Sequence, residues 1–321
     1  MTPAGCSGGR AITEITTAVT EFVAAHELGR RVCVGLSGGA DSLSLTAASV
    51  RAGLDVCALV VDHGLQDGSA QVASRAARAA ERLGARAQVI TVEVSGSGGM
   101  EAAARDARYR ALAEHRGERP VLLAHTLDDQ AETVLLGLAR GSGPRSIAGM
   151  RPWSRPWGRP LLGVRRARTR AACDEMGLVP HEDPHNVDPR FTRVRLRTEV
   201  LPLLEEVCQG GVAQALARTA RLLREDIDCL DDVAAHQQVD GEEVAVADLA
   251  AHPPAIRRRV LRLWLGRWNT APTASVIDAV DALIVDWHGQ GPVAIGGDPQ
   301  WRISIVRRDG VLSALRSARD Q

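Results

Sequence analysis

The chain has 321 residues, 45% hydrophobic and 24% charged, with 39 basic and 39 acidic residues and no formal net charge. This is the balance of an ordinary soluble globular protein long enough for two domains. It excludes a strong global field aimed at nucleic acid or membrane, and leaves only local basic patches open.

Every residue in the Lys+Arg count is arginine, so any phosphate or RNA contact by a long basic side chain falls to a guanidinium fork. The first residues lack the basic and apolar regions of a signal peptide, and no apolar run reaches membrane-spanning length, so no membrane partner is expected and the cytoplasm is the expected compartment. Six cysteines contain no C-x-x-C pair, which speaks against zinc and iron–sulfur sites; Cys33 and Cys57, in apolar runs, are expected to be buried.

In chain order, residues 12–27 are amphipathic and predict a helix. RVCVGL (31–36) predicts a strand and 41–53 a helix closed by Gly53; 55–64 predicts a second strand and 67–84 a second such helix. Strands at 85–94 and 120–126 and helices at 100–117 and 127–141 continue the alternation. Near-continuous apolar strands alternating with helices imply a parallel sheet covered on both faces. Residues 141–165, with Gly, Pro and Trp, read as loop, followed by a basic helix at 165–178, a polar turn-rich stretch at 181–189, and 191–206, where Arg193, Arg195 and Arg197 precede an apolar helix. A separate C-terminal module begins near 212 with a long helix, then helices at 246–268 and 273–287 and a hairpin or three-stranded meander over 292–315.

Ser-Gly-Gly occurs at 7–9, 37–39 and 97–99, but only the second copy follows an apolar strand and opens a helix. Ligands of parallel sheets bind at the carboxyl ends of the strands, and a helix amino terminus offers unpaired N–H groups to an anion. Gly38 and Gly39 let the backbone approach phosphate, and Ser37 and Ser42 offer hydroxyls. Asp41 has two readings, a helix cap or a ligand for Mg²⁺ bridging phosphate oxygens.

The stretch SGGADS, Ser37, Gly38, Gly39, Ala40, Asp41 and Ser42, resembles the signature of the N-type ATP pyrophosphatases, the PP-loop superfamily. These cleave ATP between the α and β phosphates. The resemblance implies that the loop holds pyrophosphate and explains why it lacks the lysine of a γ-phosphate loop. With VDHGLQDGSA (61–70), EAAARDARYRAL (101–112), AHTLDDQAETVLLGLARGSG (124–143) and HEDPHNVDPRFTRVRLRTEVLPLL (181–204), the chain is similar over 32 to about 206 to the tRNA(Ile)-lysidine synthetase family, in its shorter form. The resemblance implies an adenine-nucleotide α-hydrolase-like α/β catalytic domain over 1–215 and a smaller α+β tRNA-binding domain over 216–321. It implies ATP and Mg²⁺, free L-lysine and a tRNA(Ile) with a CAU anticodon as partners, and a homodimer. ATP adenylates the C2 carbonyl oxygen of the wobble cytidine, and lysine displaces AMP.

Asp129 and Glu132, three apart in a first helical turn, share one face. They read as a cation site or, through Thr126, as a capping box; the resemblance makes the cation the lysine amino group, with Mg²⁺ as the alternative. His125 reads as structural or as a contact for base or ATP, and Thr126 stands where the family often has a second histidine. Arg105 reads as a surface ion pair; by family position it faces Asp129 and Glu132, where it would bind the lysine carboxylate or a phosphate. Asp62 contacts adenosine or starts a turn. The five arginines of RRRVLRLWLGR (257–267) are expected to meet tRNA phosphate, and Trp264 and Trp268 to pack a core.

Overall fold

The computed structural model describes residues 9–94, 99–141, 143–183, 187–237, 239, 241–268, 272–297 and 300–318. Most of the Ser-Gly-Gly copies at 7–9 and 97–99, and residues 184–186 of the turn-rich stretch, lie outside the described residues. The chain divides into two compact units, residues 1–136 with 149–218, and residues 137–148 with 219–321.

In the first unit, α1 (Arg10–Ala25) precedes β1 (Arg31–Gly35), α2 (Ala40–Arg51), β2 (Asp55–Asp62), α3 (Ser69–Arg82), β3 (Arg86–Thr91), α4 (Met100–His115), β4 (Val121–Leu122) and α5 (Leu127–Ala139). β1 pairs in parallel with β2 and β4, and β2 with β3. The fourth strand is shorter than its apolar run suggests. After Leu123 donates to the carbonyl of Gly158 (2.8 Å), the chain leaves the ladder to form the Thr126 turn that starts α5. Two-residue strands β5 (Trp153–Ser154) and β6 (Trp157–Gly158) extend the sheet to the order β3-β2-β1-β4-β6-β5, within a stretch expected to be loop. Its tryptophans anchor this hairpin: Trp157 meets Tyr109 edge-on at 4.8 Å, and Trp153 stacks on His26 at 5.8 Å. The same stretch holds one turn of helix, α6 (Pro144–Ile147), which belongs to the second unit.

Side chains alternate across each strand, so the sheet has two apolar faces. Val32, Val34, Val56, Ala58 and Val60 pack toward α1, α2 and α3. Cys33, Leu59, Val121 and Leu123 pack with Leu112 and Tyr109 of α4 on the other face. Cys33 is buried as expected, whereas Cys57 is only half-buried. The basic stretch forms α7 (Arg166–Glu175), whose last residue accepts from the N–H groups of Ala11 (3.0 Å) and Ile12 (2.9 Å) and so caps α1. Residues 191–206 do not make one regular helix. α8 (Thr192–Arg195) passes through a π-helical turn at Leu196–Val200 into α9 (Leu201–Val207), where Pro202 has no N–H to continue the α ladder.

α10 (Val212–Ala235) leads into the second unit. There the expected helix over 246–268 is broken. A short strand β7 (Glu243–Ala245) and α11 (Val246–Ala250) precede α12 (Pro254–Leu265), because Pro253 and Pro254 cannot sit in a helix interior. α13 (Ala274–Val285) starts on the Thr273 hydroxyl, which accepts from Val276 N–H (3.3 Å). The meander appears as β8 (Val293–Gly297), β9 (Trp301–Arg308) and β10 (Val311–Ala318), and β7 adds a fourth antiparallel strand in the order β7-β10-β9-β8. Trp264 lies in this unit's core and meets Trp268 edge-on at 5.0 Å. Among the described residues, no helix is long and apolar enough to cross a membrane.

Candidate active site

The carboxyl end of β1 runs directly into the glycine loop. Gly38 has φ +86°, and a Cβ there would stand 3.3 Å from that of Ala76, so conformation and packing both call for glycine. Gly39 precedes α2 and provides no side-chain cap for its first amides. Ser42 is buried and spends its hydroxyl on the loop itself: it accepts from Ser37 N–H (3.2 Å), lies 3.1 Å from Ser37 Oγ and donates to the Gly39 carbonyl (3.0 Å). His181 N–H holds the Gly38 carbonyl (2.9 Å). The loop is therefore braced from within, and the open donors for an anion are the amides opening α2.

Asp41, in the first turn of α2, meets Asp129 and Glu132 of α5 around a single guanidinium. Arg166, the first residue of α7, lies 3.3 Å from Asp41, 2.5 Å from Asp129 and 3.4 Å from Glu132. Arg197, in the π-helical turn, reaches Glu132 at 2.8 Å and Asp129 at 3.7 Å. Glu132 is fully buried. Arg166 is aimed by Asp128, which accepts from its backbone N–H (2.7 Å) and pairs with Arg165 (3.0 Å), so Asp128 caps α7. Three carboxyl groups face two guanidiniums, an arrangement one positive charge short of balance when Asp41 is ionised.

The capping-box reading of Asp129 is met, and its other oxygen pairs with a cation of the chain itself. Its Oδ2 accepts from the N–H and hydroxyl of Thr126 (2.7 and 2.8 Å), which is the capping box, while Oδ1 faces Arg166. Burial opposes the charge on Asp129, but Arg166 and the Thr126 donors overcome it and hold its carboxyl below the usual range. Asp41 goes the other way: burial pushes its carboxyl up against the pull of Thr169 and Arg166, and Asp129 adds to the rise. The Thr169 hydroxyl contacts both Asp41 and the Arg166 carbonyl. One hydroxyl hydrogen cannot serve two acceptors, which agrees with the raised proton affinity of Asp41. Arg166 stays charged: burial lowers its proton affinity, but Asp129, Asp41 and Glu132 raise it further.

His125 leaves the end of β4 half-buried, with Nδ1 buried and unbonded; burial pushes its imidazole down to about 3. Arg105 does not pair with Asp129 or Glu132. It donates to the Tyr109 hydroxyl (3.4 Å) and lies over that ring at 4.9 Å, with its charge within reach of His125. Asp62 is buried and accepts from Gly64 N–H (3.0 Å), the turn-forming reading.

A single carboxylate beside a phosphate loop is a normal Mg²⁺ arrangement, with nucleotide phosphates completing the shell, and Asp41 fits it in donor type. Both of its oxygens face Thr169 or Arg166, which a metal would have to replace in part. Among the described residues no group of three His, Cys, Asp or Glu side chains is arranged to hold a metal.

In the second unit the arginines of α12 and the turn after it have partners within the chain, with Arg257 buried and Arg258 and Arg267 exposed. Arg257 and Arg258 pair with the buried Asp281 (2.6 and 3.0 Å), and Arg259 with Asp231 (2.9 Å). Arg262 donates to the Pro272 carbonyl (2.8 Å), and Arg267 to the carbonyls of Gly241 and Val239. The sequence reading also missed Arg166, Thr169, Arg197 and Asp128; the basic run at 165–170 and the Arg-x-Arg-x-Arg at 193–197 were the available signals.

A parallel sheet whose first strand opens into a glycine loop at a helix amino terminus, with acids at the neighbouring strand end, defines a PP-loop nucleotide-binding protein. The family model described as the PP-loop domain matches residues 12–204, and that described as the TilS substrate binding domain matches residues 245–312. The chain is 59% identical over 312 residues to a protein of Rhodococcus jostii named tRNA(Ile)-lysidine synthase, covering 94% of this chain and 95% of that one. It is 56% identical over 317 residues to the protein of that name from Mycobacterium tuberculosis H37Rv, covering 95% and 98%. The chain belongs to the tRNA(Ile)-lysidine synthase family. In fold, it is similar to the U34-tRNA thiolase NcsA from Methanococcus maripaludis, with a TM-score of 0.53 at 19% identity over 67% of this chain and 80% of that one.

Proposed function

We propose that this chain joins free L-lysine to C2 of the wobble cytidine in the CAU anticodon of tRNA(Ile). The observation that carries this reading is the acid cluster beside the glycine loop, the half-buried Asp41 and Asp129 and the buried Glu132, which with Asp41 ionised is short of one positive charge. A substrate ammonium would complete that balance. The cytidine C2 carbonyl oxygen attacks the α-phosphorus of ATP and pyrophosphate departs, held by the amides opening α2. Lysine's ε-amine, having lost a proton, then attacks C2, and AMP leaves with the C2 oxygen. Asp41 would hold Mg²⁺, which supplies charge neutralisation at the phosphates. Asp129 and Glu132 bind the amino acid by an amino group, in exchange for part of the Arg166 contact. The anticodon base leaves its stack to reach the strand ends, which a loop base does at low cost. In this reading the second unit supports tRNA binding. A homodimer is part of the proposal, and light scattering tests it.

The test is mass analysis of nucleosides from tRNA(Ile) incubated with enzyme, ATP and isotopically labelled lysine. Lysidine carrying the label is expected. ATP turnover without lysidine would refute the reading. Asp41→Ala and Asp129→Asn are each expected to lower product formation by at least 100-fold with the fold retained, and wild-type activity in either would remove that residue from the site.

A further inference from the structure

At the amino ends of the strands, opposite the glycine loop, the first unit holds a hollow of about 690 Å³. β1 starts there at Arg31, and Ser37 of the loop lies six residues further, about 20 Å along an extended chain. The parallel register brings Arg31 beside Asp55 of β2, and Arg86 of β3 beside Cys57, so the strand starts form one edge. Five arginines line the hollow: Arg30 and Arg31 at β1, Arg86 at β3, and Arg116 and Arg119 between α4 and β4.

Two acids stand against them. Glu118 is in the lining, and Asp55 pairs with Arg86 (2.8 Å) and Arg31 (3.8 Å). Five guanidiniums against two carboxylates leave three positive charges in excess, in a chain whose 39 basic and 39 acidic residues cancel. The fields show how closely they gather. The Asp55 carboxyl is held below its usual range, first by the Arg86 hydrogen bond and then by the charges of Arg86, Arg119 and Arg31. The Arg119 charge also acts on the buried Cys33 thiol, which places its guanidinium under the edge shared by β1 and β2.

The forks are anchored in ways that leave donors to spare. Arg30 gives Nε and one Nη to the Gly53 carbonyl (3.2 and 2.8 Å). Arg116 gives one Nη to the Arg119 carbonyl (3.0 Å), and its buried Nε has no partner. A guanidinium carries five N–H donors, so each anchor fixes a fork without exhausting it. Fixed cations that repel one another form a site an anion completes.

The volume is that of a small-molecule site, roughly 300–1,000 Å³. Among the described residues no Phe, Tyr or Trp lines it, so an unstacked RNA base finds no platform there. Several planar forks around one hollow suit several phosphate groups in a row. We propose that this hollow is a second anion site, distinct from the glycine loop, for a small molecule bearing a chain of two or more phosphates. The proposal does not need the lysine-transfer reading.

The test uses a cysteine of the hollow as its reporter. Cys57 lines the hollow and is half-buried, whereas Cys208 and Cys229 are exposed and lie outside the lining. Alkylation of wild type by N-ethylmaleimide is followed at each cysteine by peptide mass analysis, with increasing inorganic tripolyphosphate. Saturation is expected to slow Cys57 at least fivefold and leave Cys208 and Cys229 unchanged, with no protection by sodium sulfate at equal ionic strength. Arg86→Gln and Arg119→Gln should each raise the half-protecting concentration at least tenfold, and Arg221→Gln on α10 should not. GTP in place of tripolyphosphate distinguishes the sources: tighter protection by GTP assigns a nucleotide, and weaker protection an inorganic chain. An unchanged Cys57 rate in wild type overturns the site without any variant, as does equal slowing at all three cysteines. The same half-protecting concentration in every variant also overturns it. Protection by a short single-stranded RNA but not by tripolyphosphate would place an RNA backbone there and refute the small-molecule site.

Discussion

His125 should stay neutral far below the pH at which an ordinary histidine charges. Its imidazole is pushed from 6.5 to about 3, first by burial and then by Arg159, Arg108 and Arg105, against the pull of Asp129. At about 1.36 kcal/mol per unit, protonating it in the folded chain costs on the order of 5 kcal/mol more than in the unfolded chain. The unfolded state binds the extra proton between these two values, so stability is full above about 6.5 and falls as pH drops toward 3. Between pH 7 and pH 5 this one group should remove about 2 kcal/mol. Urea unfolding at the two pH values, for wild type and His125→Asn, isolates the effect: wild type is expected to lose about 2 kcal/mol more than the variant. The ring resonances of His125 should not move in an NMR titration down to pH 5. A titration midpoint near 6.5, or the same pH dependence in both proteins, would refute a buried neutral ring.

Asp281→Asn leaves Arg257 buried without its partner and should destabilise the second unit by roughly 3–5 kcal/mol, read by denaturant unfolding. Gly38→Ala forces a side chain into a left-handed conformation against Ala76; a stability loss of about 1–2 kcal/mol with loss of ATP consumption is expected, and wild-type values in both would show the loop to be less constrained than its geometry implies.

The sheet was legible because its signals are local. Val-rich runs, helix periodicity and the glycine after each helix occur within short windows, so β1, β2 and α1 to α5 follow from the sequence with small shifts at their ends. The hairpin of β5 and β6 was not, because two-residue strands carry no periodicity and exist through Trp153 and Trp157 packing on distant rings. The acids of the site could be named from spacing and family likeness. Arg166 could not, since it reaches Asp41 and Asp129 across 125 and 37 positions of chain. For the α12 arginines, the run of positive charge in sequence does not reveal the acids Asp231 and Asp281 that folding brings to it.

The identity of the two cations on the acid cluster has a consequence for chemical fidelity. If the proposed mechanism holds, the activated cytidine would react with any free amine that reached it. On the proposed reading, Arg166 and Arg197 stand where a substrate ammonium would bind, with groups that hold charge permanently and do not attack as free amines. A lysine at either position would present the enzyme's own side chain as a rival substrate and risk attaching the protein to its RNA. The chain contains no lysine at all, so on that reading no side-chain amine of its own can compete with the substrate at the acid cluster.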